Sequence, residues 1–360
     1  MAHGLLYGAS FTNGVLSFTD KQGRTICNAD LRNYLTLTAT EDNSSVKLMK
    51  NGTLDNTYEV NTGNGWEDYA FSTVIHLNAG QSCKWRCKSH PTTQSGSNYV
   101  QFAMTGKIEA SGNVNSMLNS DFENITSLSG YDHAFIHMFD ECHSLTKAPS
   151  LPATTLAREC YRFMFYRCTS LIKAPSLPAT TLDSYCYSVM FAGCTSLEQA
   201  PSLPATTLAS GCYAGMFNSC KSLKQAPSLP ATTLDSYCYY DMFTGCTSLE
   251  QAPSLPATTL AEGCYEGMFH SCKSLKQAPS LPATTLDSYC YYDMFTGCSA
   301  LNEVRISATK TADYALYNWL GSVSASGTVY ADPSFTDLPT NSSSGIPQNW
   351  TRLPLSDYPN

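Results

Sequence analysis

Three groups of residues in this 360-residue sequence have types and spacings that could do chemistry. His133 and His137 are four apart, with Asp140, Glu141 and His143 close behind. On a helix that spacing can chelate a metal ion. Cys83 and Cys87, with Cys27 upstream, could supply thiolates, but no second pair stands at a zinc-ligand spacing. Asp241 and Asp293 occupy matching places in a repeated segment. They are two turns of the repeat apart, so they make no carboxylate pair for acid–base work. No Gly-Lys-Ser/Thr phosphate loop, Gly-x-Ser-x-Gly elbow or His-Glu-x-x-His motif occurs. The expectation is a protein that is not an enzyme, with no cofactor and no metal site. The His133 group then reads as a solvated helix face.

The elements that hold these residues are repeats. The string Ala-Pro-Ser-Leu-Pro-Ala-Thr-Thr-Leu begins at Ala148, Ala174, Ala200, Ala226, Ala252 and Ala278, a step of 26 residues. Between copies runs Cys-Tyr-x-x-Met-Phe-x-x-Cys, starting at Cys160, Cys186, Cys212, Cys238, Cys264 and Cys290. Divergent copies lie around Ala134 to Cys142 and Leu316 to Leu320, as a stack with water-facing ends requires. A second period of 52 residues is superimposed: Leu234 to Cys246 recurs unchanged at Leu286 to Cys298. Glu198, Lys224, Glu250 and Lys276 alternate at one position, which stacking would turn into a solvated ladder of opposite charges.

Each repeat divides in two. Cys160, Met164 and Cys168 are four apart, beside Tyr161 and Phe165, and this spacing predicts an apolar stripe on a short helix. Thr154, Thr155 and Asp183-type residues read as helix starts. The Pro-rich remainder limits any strand to a few residues, roughly Leu197 to Ala200. The expected fold class is α+β: a small N-terminal β-sandwich followed by a solenoid of 26-residue repeats, each a short parallel strand plus a short helix, with terminal caps. The domain expectation is an N-terminal arm or attachment segment at 1–33, a β-sandwich-like domain at 34–110, the solenoid at 111–306 and a C-terminal cap at 307–360. The sandwich rests on alternation at Tyr34 to Ala39, a hairpin turn at Asn51-Gly52 and further strand-like runs to Met104.

Twelve cysteines fall in two columns, Cys160, Cys186, Cys212, Cys238, Cys264, Cys290 and Cys168, Cys194, Cys220, Cys246, Cys272, Cys298, with Cys142 extending the second to an odd number. An odd column cannot pair completely, so free thiols packed as small apolar groups are expected, which suits folding in a reducing compartment. The ligand-facing candidates are Tyr185, Tyr237, Tyr240, Asp241, Tyr289, Tyr292 and Asp293, at positions that vary between repeats. Tyrosine gives rigid area with a polar tip, suited to glycan or protein surfaces.

Composition narrows the partners. Charged residues are 14% of the chain, against about 25% in ordinary domains, and the net charge is −8. No Lys/Arg run offers a grip on nucleic acid, and no apolar run is long enough for membrane insertion. Residues 1–18 lack the apolar run of a standard secretory leader.

The core Met-Phe-x-x-Cys-x-Ser-Leu, as at Met190 to Leu197, with the Leu-Pro-Ala-Thr-Thr-Leu spacer, resembles the BspA-like, Treponema-type leucine-rich repeat of gut Bacteroidales and their phages. The lead-in Thr105-Gly106-Lys107 with Gly112 to Met117, and the tail at Asn318-Trp319-Leu320 and Gly345-Ile346-Pro347, fit the same subgroup. The resemblance covers about Tyr34 to Trp350 and implies recognition or adhesion without catalysis. Together these readings give the expectation of a virion-surface protein of a Bacteroidales phage. Its N-terminal region would contact other virion proteins, and its repeats a host cell-surface glycan or protein. Homo-oligomerisation is left open. The alternatives are a bacterial cell-surface adhesin of the same family, extracellular in location, and a structural decoration subunit without a ligand.

Overall fold

The structure, a computed structural model, describes residues 8–12, 14–88 and 95–358, without the side chains of 26–29. Three strands open the chain as an antiparallel meander: β1 (Gly8–Thr12), β2 (Val15–Thr19) and β3 (Thr25–Asp30). Every residue of β1 is exposed and none of β2 is fully buried, so these two strands add no fully buried residue to the core.

The next strands are β4 (Leu35–Ala39), β5 (Ser44–Asn51), β6 (Tyr58–Asn61), β7 (Glu67–Tyr69), β8 (Ile75–Leu77), β9 (Ser82–Cys87), β10 (Tyr99–Thr105) and β11 (Ile108–Ser111). They form one sheet ordered β11-β4-β9-β6-β7 and a second ordered β10-β5-β8. Strict alternation in β4 buries Leu35, Leu37 and Ala39, and in β9 it buries Cys83, Trp85 and Cys87. Trp85 of the first sheet meets Phe102 of the second edge-to-face, with ring centroids 5.1 Å apart, so the inner faces share one core.

That core runs on into the repeats without a break. Strand β12 (Leu145–Lys147) pairs parallel to β11, and Phe102 stacks on Phe139 at 5.3 Å. Phe139 then begins a ladder, Phe165, Phe191, Phe217, Phe243, Phe269 and Phe295, with neighbouring rings 5.5–5.8 Å apart and nearly parallel. Tyr161, Tyr187, Tyr213, Tyr239, Tyr265 and Tyr291 form a second buried ladder beside it. At the far end three parallel strands, β13 (Glu303–Ile306), β14 (Gly327–Ala331) and β15 (Trp350–Pro354), each come from a successive pass of the chain. Trp319 is buried there, its indole N–H donating to the Gly345 carbonyl at 2.9 Å.

The expected α+β solenoid, with a helix in every repeat, is overturned. The structure is nearly all β, and the helical segments among the described residues are 3-10 turns of three or four residues. The Cys-Tyr-x-x-Met-Phe-x-x-Cys segments are instead runs of overlapping β-turns. In one run the N–H groups of Cys160, Arg162, Met164, Tyr166 and Cys168 each bond the carbonyl three residues back. The N–H groups between them, of Tyr161, Phe163, Phe165 and Arg167, bond carbonyls 25 residues ahead, at Cys186, Ser188, Met190 and Ala192. Half of the backbone donors therefore close turns and the other half tie one repeat to the next. The strands expected near Leu197 to Ala200 are reduced to single parallel bridges, such as Lys173↔Gln199 and Gln225↔Gln251.

The reason lies in every fourth residue. Glu159, Phe163 and Arg167 have φ near +55°, and their equivalents in the other repeats are likewise left-handed, between +51° and +78°. A left-handed residue at the third place of a turn is what a type II turn demands, and a right-handed helix cannot contain it. The turn run also has a true period of four, burying Cys160-Tyr161, Met164-Phe165 and Cys168 on one side. A helix of 3.6 residues per turn would drift off that register.

Candidate binding face

Successive turns stack these left-handed positions into columns, two of which alternate exposed or half-buried side chains with buried glycines. The first holds Glu159, Tyr185, Gly211, Tyr237, Gly263, Tyr289 and Tyr314; the second holds Phe163, Val189, Gly215, Asp241, Gly267, Asp293 and Asn318. The alternation of large residue and glycine, which gives the 52-residue period, has a steric cause. A Cβ on Gly211 would lie 2.3 Å from Cε1 of Tyr185, and one on Gly263 would lie 2.3 Å from Cε1 of Tyr237. Each tyrosine ring occupies the space that a side chain on the next turn would need. Where glycine is missing, at the end of the stack, ring packs on ring: Tyr289 on Tyr314 at 5.3 Å and Tyr292 on Tyr317 at 5.2 Å.

All seven expected ligand-facing residues lie on this side of the molecule. Tyr185 and Tyr240 are exposed, while Tyr237, Asp241, Tyr289, Tyr292 and Asp293 are half-buried. Between Tyr185 and Tyr240 lies a groove of about 570 Å³, floored by Ala214 and Gly215 and closed at one end by Arg162, Tyr166 and Arg167. Arg162 is paired with Glu159 at 2.8 Å and Arg167 with Glu141 at 3.1 Å. Asp241 stands at the other end, its Oδ1 accepting from the Thr244 hydroxyl at 2.8 Å. The Thr296 hydroxyl donates to Asp293 in the same way at 3.0 Å, and the Asn318 amide also donates to it.

Glu266 occupies the turn between Asp241 and Asp293. Burial first, then the charges of Asp241, Asp293 and Glu262, push its carboxyl up to about 7. Burial also raises Asp241, opposed by the Thr244 hydrogen bond and the nearby His270. The raised Glu266 value means that the stability of its protonated form is complete below about pH 4.5 and is lost as pH rises toward 7. Glu266→Gln should therefore match the parent at pH 4 and exceed it at pH 8 by about 1 kcal/mol, allowing for solvent screening. Denaturation midpoints at the two pH values test this; an equal difference at both would contradict it.

The other expected sites disperse. His133 faces Glu159 at 3.6 Å, His137 bonds Asp140 at 2.7 Å between the rings of Tyr99 and Phe163, and His143 bonds the Arg167 carbonyl. No helix carries them, so the solvated-helix reading is replaced by a left-handed turn column in which His133 is buried. Cys83 and Cys87 are both buried on the inner face of β9, separated by Trp85 and each near a different carbonyl, while Cys27 lies outside the described side chains. Among the described residues no three His, Cys, Asp or Glu side chains are grouped to hold a metal ion. Glu198, Lys224, Glu250 and Lys276 line an open polar trough, and among the described residues none of them forms an ion pair within 4 Å.

The twelve column cysteines and Cys142 are free and fully buried. Each Sγ of the second column donates to the carbonyl of a phenylalanine in the preceding turn, as Cys220 does to Phe191 at 3.1 Å. Burial raises all of these thiols, Cys186 and Cys246 to about 12, so they are poor nucleophiles. A thiol-specific disulfide reagent should label at most Cys27 in the folded chain and all sixteen cysteines in guanidinium. Rapid labelling of any column cysteine would contradict this burial.

Gly215 and Glu266 also stand at positions that vary between repeats, outside the seven ligand-facing candidates, and their phase in the 52-residue period places them beside those seven. No helix of the described residues is long and apolar enough to cross a membrane. Compared with protein-family models, curated proteins and solved structures, the chain matches none.

Proposed function

We propose that the chain is a non-catalytic recognition protein on the surface of a Bacteroidales phage virion, held by its N-terminal sheet and displaying the tyrosine face to a host-surface glycan or protein. The observation that carries this reading is the face itself: exposed tyrosines around a groove floored by Ala214 and Gly215, on a rigid stack of turns. Many copies on one particle would add avidity to weak individual contacts.

Two further observations support it. The sheet of β1, β2 and β3 pairs Ala9 with Phe18 and Phe11 with Leu16, and Phe11 is 65% exposed, so it offers an apolar side for attachment to another virion protein. The free, buried thiols of Cys142 and the twelve column cysteines suit assembly in a reducing cytoplasm. Mass spectrometry of gradient-purified particles beside washed host envelopes tests the location. Stoichiometric chain in particles is the expected result. Chain found only in envelopes would overturn it and leave the cell-surface adhesin.

A further inference from the structure

Resting on that adhesive reading, we infer that the tyrosine face binds a linear glycan, uncharged or amine-bearing, that runs along the stack with its disaccharide unit in step with two turns. The argument begins with spacing. Backbone hydrogen bonds join each turn to the next, as Gly211 N–H to the Ser236 carbonyl at 3.0 Å, which sets turns ~4.8 Å apart and every second turn about 10 Å apart. Tyr185, Tyr237 and Tyr289 recur at that double step because Gly211 and Gly263 must lie between them. Tyr240 and Tyr292 repeat it in a second row, with Glu266 between. About 10 Å is the length of a disaccharide unit in an extended β-linked hexose chain, and the turn spacing supplies the match. A globular protein partner has no use for such a period; a polymer meets an aromatic ring once per repeat.

Chemistry narrows the polymer. The C–H faces of pyranose rings pack on aromatic rings, and their hydroxyl or ammonium groups can donate to Asp241, Glu266 and Asp293. Asp241 and Asp293, with Glu266 partly ionised on the turn between them, would repel a chain of uronates or sulfated sugars, which removes anionic polymers from the class. The two arginines at the end of the groove are each occupied by a glutamate and do not reverse this sign.

The test is calorimetric titration of the full chain with hexamers of β-1,4-linked glucose, β-1,4-linked glucosamine and α-1,4-linked galacturonate. Binding of a glucose or glucosamine hexamer, weakened at least tenfold in Tyr240→Ala/Tyr292→Ala, with no binding of galacturonate, is expected. Silence with all three, equal binding of galacturonate, or indifference to the double variant would overturn the inference. An unchanged melting temperature shows that the variant is folded. Cell binding is measured in parallel. Cell binding through the tyrosines without hexamer binding ends the glycan inference alone, and no cell binding by the parent ends the adhesive reading.

Discussion

Phe217→Ala should cost the stack about 4 kcal/mol, the middle of the range for a fully buried phenylalanine. Phe217 has no exposed surface and lies between Phe191 at 5.8 Å and Phe243 at 5.7 Å, both nearly parallel to it. Truncation opens a cavity and breaks two ring contacts, each worth about 1 kcal/mol beyond its area. The loss should also be local. Each turn is bonded only to its neighbours, so stability in such a stack is close to a sum over adjacent pairs. Hydrogen exchange should show amides between about Phe191 and Phe243 opening first, with β4 and β9 still protected. A loss below about 1.5 kcal/mol would mean that this ring is not held in the ladder.

Gly263→Val should be nearly as damaging, by about 3–4 kcal/mol, from two separable causes. The φ of +57° is left-handed, and a β-branched residue there costs about 2 kcal/mol. The new Cβ would also fall 2.3 Å from Cε1 of Tyr237. Removing that ring should recover the steric part. In a Tyr237→Ala background the same substitution should cost about 2 kcal/mol, a coupling above 1 kcal/mol. Denaturant titration of the two singles and the double measures it. Additive losses would show that ring and glycine do not share space.

These two residues mark what could be read from sequence and what could not. The repeat, its 26-residue step and the thiol columns are visible in the spacing of Cys160, Cys186 and Cys212, and the period within one repeat in that of Cys160, Met164 and Cys168. The helix assigned to that spacing was wrong because a four-residue period and a 3.6-residue period are indistinguishable over nine residues. Glycine held the discriminating signal: Gly211 and Gly215, then Gly263 and Gly267, stand four apart inside the supposed helix, where each would cost about 1 kcal/mol. At left-handed turn positions they are the favoured residue. The candidate face was legible as a set of varying positions. Its organisation was not, since the seating of the Tyr185 ring in the space over Gly211 depends on which turn lies beside which. Glu266 was legible as a varying position but its acidic surroundings were not, for the same reason: its two acidic neighbours are 25 and 27 residues away in the chain.

The most direct test of the adhesive face is binding of the purified full chain to intact host cells, measured side by side for the parent and Tyr240→Ala/Tyr292→Ala at equal folded concentration. The double variant should keep its melting temperature and lose at least tenfold in cell binding. A variant that binds as well as the parent would contradict the assignment of this face.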